Sequence, residues 1–201
     1  KNAENYFSDK YSKYSVAATE YCQMTDDKNT GVYDLIAKEK NGTNGTSIKY
    51  GVAMANTIVD DLTIMNANEW DWWTACSYGT YTDGLIYLDE DNHENLDFSK
   101  RYYCLGNFSK FIKEGAVRVA CSSGVKNVRS VAFVNEDNTV VTVYVNNNDK
   151  KAYTTIDCEG DYAVYTTDRD NDIAKTDFGK AKKVKVSLPA SSVVTVVYEA
   201  K

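Results

Sequence analysis

The chain has 201 residues, 43% hydrophobic and 26% charged, which is ordinary for a folded protein and excludes a disordered tail. Twenty-three Lys and Arg against 29 Asp and Glu leave a net charge of −6 and no dense basic cluster, so neither DNA nor RNA is an expected partner. No apolar run approaches the roughly 18–20 residues of a membrane-spanning helix, so no membrane is expected either. The single histidine, His93, sits in a polar stretch. That argues against a His-rich zinc site and against a Ser-His-Asp hydrolase.

The chain begins with Lys1 and reads as a processed chain or a piece of something longer. Its five cysteines (Cys22, Cys76, Cys104, Cys121, Cys158) are widely spaced with no C-x-x-C pair. They read as small, mostly buried apolar residues rather than a disulfide framework or a metal site.

In chain order, YSVAATEY (Tyr14–Tyr21) is a short strand ending in a carboxylate. A polar loop rich in Asn, Gly and Thr follows to about Ser47. Ile48, Val52, Ala55, Val59 and Leu62 then recur at intervals of three and four, an amphipathic helix with Thr46 or Ser47 as its N-cap. NEWDWWTACS (Asn68–Ser77) is dense in aromatics and reads as a buried strand. After a loop rich in Gly, Tyr and Asp, Tyr102, Leu105, Phe108, Phe111 and Ile112 keep helical spacing, with Ser99 as N-cap and Gly115 as the stop. Strand, helix, strand, helix with long connections is the pattern of parallel crossovers.

From Ala116 onward the period changes to two and β-branched residues dominate. AVRVACSS, VRSVAFVNE, TVVTVYVNN, KAYTTIDC, DYAVYTTD, KVKVSLP and SSVVTVVYE predict seven short strands of an antiparallel sandwich. The only proline, Pro189, falls at a strand end. The predicted fold is thus α+β and multidomain. Residues 1–115 form the last two β/α units of a (β/α)8 barrel, an incomplete quarter, and residues 116–201 an antiparallel β-sandwich side domain.

Active sites of such barrels lie at the C-terminal ends of the strands, which places Glu20 at a catalytic rim. A carboxylate there can attack an anomeric carbon or move a proton. Trp70 and Trp72 alternate to one side of their strand and Trp73 to the other. Sugar rings expose C–H faces that pack on indole, so Trp beside a rim carboxylate suits a carbohydrate subsite.

ATEYCQM, AMANTIVDDLTIMNANEWDWWTACS, DGLIYLD and SKRYYCLGNFSKFIKEGAVRV, taken as an ordered set with the ending VSLPASSVVTVVYE, resemble the closing part of glycoside hydrolase family 30. That resemblance implies a (β/α)8 barrel fused to a side β-sandwich, retaining hydrolysis of β-glycosidic bonds and no cofactor. It implies Glu20 as the nucleophile at the end of the seventh barrel strand and Trp72, with Trp70 and Tyr21, as substrate-binding aromatics. It also implies a polysaccharide or oligosaccharide partner and an extracellular, secreted parent.

Two departures stand out. KEGA (Lys113–Ala116) replaces the family's usual R-P-G-Y. The family's acid/base Glu belongs to a fourth strand outside this chain, and neither Asp71, Asp83 nor Asp89 fits its position. Retaining hydrolysis needs two carboxyl groups roughly 5–5.5 Å apart, so the isolated chain is expected to be inactive.

SYGTYTDGLIYLD (Ser77–Asp89) resembles the galactanase- and glucanase-like members more than the glucuronoxylanases, giving β-1,6-galactan or xylan as the substrate class. Open barrel edges predict a homo-oligomer or a missing N-terminal barrel portion. The alternative is a non-catalytic carbohydrate-binding or structural sandwich, carried by Tyr144, Tyr153, Tyr162, Tyr165 and Tyr198. The acidic stretch Asp89–Asp97 reads as solvated loop rather than a calcium site. Asn41, Asn44 and Asn107 lie in N-x-S/T sequons.

Overall fold

The computed structural model describes residues 15–23, 47–78, 82–89, 91 and 95–199. The polar loop before Ser47, with the sequons at Asn41 and Asn44, and His93 lie outside them.

Strand β1 (Ala17–Tyr21) pairs in parallel with β2 (Glu69–Trp72). Helix α1 (Ile48–Asp60) crosses between them, as the spacing predicts. Ser47, in extended backbone, caps it by accepting from the Lys49 N–H at 3.2 Å, which satisfies one of the first-turn donors. Ile48, Val52, Ala55 and Val59 are buried as expected. The last turn widens into a π-helical turn (Asp61–Met65), closed by Asn66 in the left-handed conformation.

Between β2 and helix α2 (Lys100–Ser109), a predicted loop holds a three-stranded sheet. Strands β3 (Cys76–Tyr78) and β4 (Ile86–Leu88) run parallel, and β5 (Leu96–Phe98) pairs antiparallel with β4. Ser99 caps α2 by accepting from the Tyr102 N–H at 3.4 Å. The buried face of α2 differs from the predicted stripe. Arg101, Cys104, Asn107 and Phe108 are buried, and Tyr102 is exposed. Two polar residues therefore sit where the apolar pattern has no place for them.

The rest of the chain is a six-stranded antiparallel sheet in the order β10-β9-β11-β8-β7-β6. Its strands are β6 (Val117–Val119), β7 (Val128–Val134), β8 (Thr139–Asn146), β9 (Ala152–Thr167), β10 (Ala174–Leu188) and β11 (Ser192–Glu199). Six strands replace the predicted seven because KAYTTIDC and DYAVYTTD join into β9, 16 residues long. Gly160 sits at the join, with φ +128° and beside a register shift at Ala181/Lys183. Only glycine tolerates that backbone, so its low strand propensity marks a bend and not a break.

Alternation explains the two cores. Val131, Phe133, Val141, Val143, Val145 and Val193 face the helices and join Ile48, Val52, Ile58, Val59, Cys104 and Phe108. Tyr144, Val194 and Val196 face the other way and pack with Ile156, Cys158, Val164, Val184, Val186 and Leu188. The long β9–β10 hairpin supplies the far layer. Arg129 pairs with Asp60 and Lys100 with Asp172 at 2.6 Å, tying helices to sheet at the surface.

Candidate functional site

Glu20 is the penultimate residue of β1 and is exposed. Beside it, the Trp73 N–H donates to the Tyr21 carbonyl at 3.0 Å, extending the parallel ladder one step beyond β2. Trp73 is 52% exposed, a large apolar side chain left in the open at the strand's C-terminal end.

The three aromatics expected to bind substrate, Tyr21, Trp70 and Trp72, are half-buried and cluster together. The Tyr21 ring centroid is 5.8 Å from both Trp70 and Trp72, and those two indoles are 6.3 Å apart. Trp70 Nε1 donates to Asp61 Oδ2 at 2.8 Å at the end of α1, and Trp72 Nε1 donates to the Asp83 carbonyl at 2.6 Å. The Arg101 guanidinium of α2 sits over the Trp72 ring at 4.8 Å. Tyr21, Trp70 and Trp72 therefore fill the seam between strands and helices. Glu20 and Trp73 are both exposed, and the register of β1 against β2 shifts between Ala18 and Tyr21, just where Glu20 lies. Asp71 is exposed and alternates away from Trp70 and Trp72 within β2, as the pattern required. W-D-W-W already encodes this alternation. Which face met the helices was not written in it.

Beneath the rim lies a buried polar cluster that the sequence did not reveal. Arg101 is fully buried. Its Nη2 donates to the Gln23 carbonyl at 2.9 Å and its Nη1 to the Thr82 carbonyl. The guanidinium also lies over the Tyr50 ring, 5.0 Å from its centroid. Ser77 Oγ donates to Asp83 Oδ1 at 2.8 Å. Among the described residues the buried Gln23 carboxamide and the Arg101 Nε have no hydrogen-bond partner. Burial lowers the Arg101 pKa against the pull of Tyr87, Tyr50, Cys22 and Asp83. Burial also pushes the Tyr87 phenol up to about 12, opposed by the Arg101 charge. At the other end of α1, burial raises the Asp61 carboxyl while the Trp70 hydrogen bond counters it.

Among the described residues no three His, Cys, Asp or Glu side chains gather to hold a metal ion. None of the five cysteines is in a disulfide among the described residues. No described helix is long and apolar enough to cross a membrane. Asn107 is buried, with its amide donating to the Tyr103 carbonyl at 3.0 Å and to Thr167 Oγ1 at 2.5 Å, so the folded chain presents no glycan acceptor there.

Two profiles of one family match in chain order. O-Glycosyl hydrolase family 30 matches residues 8–87, and the glycosyl hydrolase family 30 beta sandwich domain matches residues 115–196. The chain belongs to glycoside hydrolase family 30. It comprises the family 30 C-terminal β-sandwich and part of the barrel.

Solved structures agree on the fold. A conserved exported protein from Bacteroides fragilis is 25% identical with a TM-score of 0.79, over 97% of this chain and 41% of that one. A GH30 endoxylanase from Clostridium papyrosolvens is 21% identical with a TM-score of 0.72, over 96% of this chain and 44% of that one. An endo-β-1,6-glucanase is 16% identical with a TM-score of 0.60, over 100% of this chain and 39% of that one. The family 30 chain thus spans less than half the length of these structures.

Proposed function

We propose that this family 30 chain is the C-terminal part of a secreted, retaining glycoside hydrolase acting on a β-linked polysaccharide of the β-1,6-galactan or xylan class. Glu20 is the nucleophile and Trp73 the rim aromatic on which a sugar ring stacks. One observation carries this reading. An exposed carboxylate and an exposed indole stand at the C-terminal ends of two hydrogen-bonded parallel strands, the end where barrels of this kind hold their sites. In the reaction, Glu20 attacks the anomeric carbon, the aglycone oxygen takes a proton, and water later releases the glycosyl–enzyme ester. The protonating group comes from the upstream barrel. Asp71 is the penultimate residue of β2 as Glu20 is of β1, level with it because Tyr21 pairs with Trp72, and the acid is assigned to the upstream barrel on the family resemblance.

The barrel portion that supplies the acid also covers the open edges of β1 and β2. Its absence accounts for the expectation that this chain alone does not turn over substrate, and that it associates with itself or with that portion. The test has two arms. In the protein carrying the upstream barrel, a 2-deoxy-2-fluoro glycoside should label Glu20, and Glu20→Ala should recover activity with azide. Label on another carboxylate would refute the assignment. The chain alone should show no turnover of xylan, β-1,6-galactan or aryl β-glycosides. Robust turnover lost in both Glu20→Gln and Asp71→Asn would make Asp71 the second carboxylate and overturn the requirement for an upstream acid.

A second reading is favoured by a different surface. A cleft of about 400 Å³ on the sandwich is lined by Phe111, Tyr162, Tyr165, Lys175, Phe178 and Tyr198. Phe178 is 70% exposed. Such a surface suits glycan binding without hydrolysis. Of the tyrosines singled out from sequence, Tyr144 is buried and cannot contribute. Retardation in gels containing soluble xylan or galactan, lost in Phe178→Ala and kept in Glu20→Gln, would establish this role.

A further inference from the structure

We propose that Arg101 is a positioning residue of the rim site, tying the segment after Glu20 to the segment that fixes Trp73. This rests on the reading of Glu20 and Trp73 given above.

The fork of the guanidinium is divided between two loops. Nη2 holds the carbonyl of Gln23, three residues beyond Glu20, at 2.9 Å. Nη1 holds the carbonyl of Thr82. Thr82 precedes Asp83, whose own carbonyl accepts from Trp72 Nε1 at 2.6 Å and from the Thr74 N–H at 3.2 Å. Leu85 N–H closes the same segment by donating to the Thr74 carbonyl at 3.1 Å. Trp73 is therefore held on both sides by residues whose loop is anchored to Arg101. The guanidinium plane is set by the Trp72 and Tyr50 rings at 4.8 and 5.0 Å.

Its chemistry suits geometry better than stability. The side chain is fully buried, and among the described residues its Nε is unpaired. Among the described residues none of its hydrogen bonds goes to a carboxylate; both are donated to main-chain carbonyls of different loops. Burying a charge in this way is unfavourable compared with burying an apolar side chain of similar volume. What the guanidinium provides, and an apolar group cannot, is a planar fork that sets the distance between two loops. Lysine has the charge but one compact ammonium, which cannot reproduce that fork.

The test is made in the protein carrying the upstream barrel, with Arg101→Met, Arg101→Lys and Arg101→Ala, an aryl β-glycoside, and labelling of Glu20 by the 2-deoxy-2-fluoro glycoside. Misplacement of a nucleophile by a fraction of an ångström to an ångström lowers kcat, so kcat and the labelling rate should fall roughly 10- to 100-fold per folded molecule. KM should stay within about threefold, because the distal subsites are untouched. Arg101→Lys should fall as far as Arg101→Met, and millimolar guanidinium should restore part of the kcat of Arg101→Ala but not of Arg101→Lys. If Arg101→Met does not fold, the lysine variant and the guanidinium rescue carry the test. A kcat within about twofold of the parent in folded Arg101→Lys, or a rise in KM alone, would make Arg101 an ordinary brace and overturn the proposal. Failure of the parent itself to label at Glu20 would instead remove the site reading, and this proposal with it.

Discussion

Asn107 of α2 and Thr195 of β11 are joined twice, 88 residues apart in sequence. Thr195 Oγ1 lies 2.7 Å from the Asn107 carbonyl oxygen and 2.9 Å from its Oδ1, its proton shared between them. The Asn107 amide donates in turn to Thr167 Oγ1 of β9 at 2.5 Å. Both partners are completely buried. This is the polar weld between the barrel helix and the sandwich, set in a seam otherwise filled by Val141, Val143, Val193, Phe108 and Cys104.

Removing one side of such a weld leaves buried groups unpaired, which costs more than the bond contributes. Asn107→Ala is expected to destabilise the chain by about 2–4 kcal/mol, from lost hydrogen bonds and a small cavity. Asn107→Asp should cost more, since a carboxylate would be buried without a cation. Thr195→Val, nearly isosteric, should cost only about 1–2 kcal/mol. Urea midpoints at constant slope check the series. Asn107→Ala within about 0.5 kcal/mol of the parent would show that the weld is not cooperative.

The crossing of α1 and α2 depends on the absence of one side chain. A Cβ on Gly51 would lie 2.5 Å from Cys104 Sγ and 3.0 Å from the Lys100 carbonyl. Burial pushes the Cys104 thiol far above its ordinary range, so it is inert in the folded state. Gly51→Ala should destabilise by about 1–3 kcal/mol and make Cys104 reactive to a maleimide by opening the seam. Cys104→Ala in the same background should recover part of that loss. A double-mutant cycle with a coupling of about 1 kcal/mol or more is the expected result, and strict additivity would contradict the contact.

Alkaline pH should unfold this chain through its buried phenols. Tyr87 is pushed up to about 12 by burial, against an ordinary value of 10.0. Tyr144 is raised in the same direction by the same cause. A phenol raised in the folded state stays protonated there after the unfolded chain has begun to lose its proton. The stability it supports is complete below pH 10 and is lost as pH rises from 10 toward 12. At pH 12 the loss from Tyr87 alone is on the order of 2–3 kcal/mol. Urea midpoints should be flat to about pH 9.5 and fall beyond it, and Tyr87→Phe should shallow the fall. An unchanged slope in that variant would place the titration elsewhere.

The periodicities in this chain were sufficient for its two helices, the strands that flank them and the β-rich second half, but not for the small sheet β3–β5 or the joining of two predicted strands into β9. Ile48, Val52, Ala55 and Val59 recur at helical spacing because one helix face is apolar, and no tertiary contact is needed to see that. The same holds for the β-branched, period-two half, for Ser47 and Ser99 as caps, and for Glu20 at a strand end. Tertiary structure decided what alternation leaves symmetric. W-D-W-W distinguishes two faces of a strand, but only the packing of α1 and α2 makes the Trp70 and Trp72 side the half-buried one and leaves Trp73 exposed. Gly160 looks like a break until a paired strand carries the chain through it. Arg101 and Asn107 stand outside the apolar stripe of their helix and their burial was not legible, because their partners are carbonyls and hydroxyls brought from 19 to 88 positions away, and a hydrogen bond across that distance has no local signature.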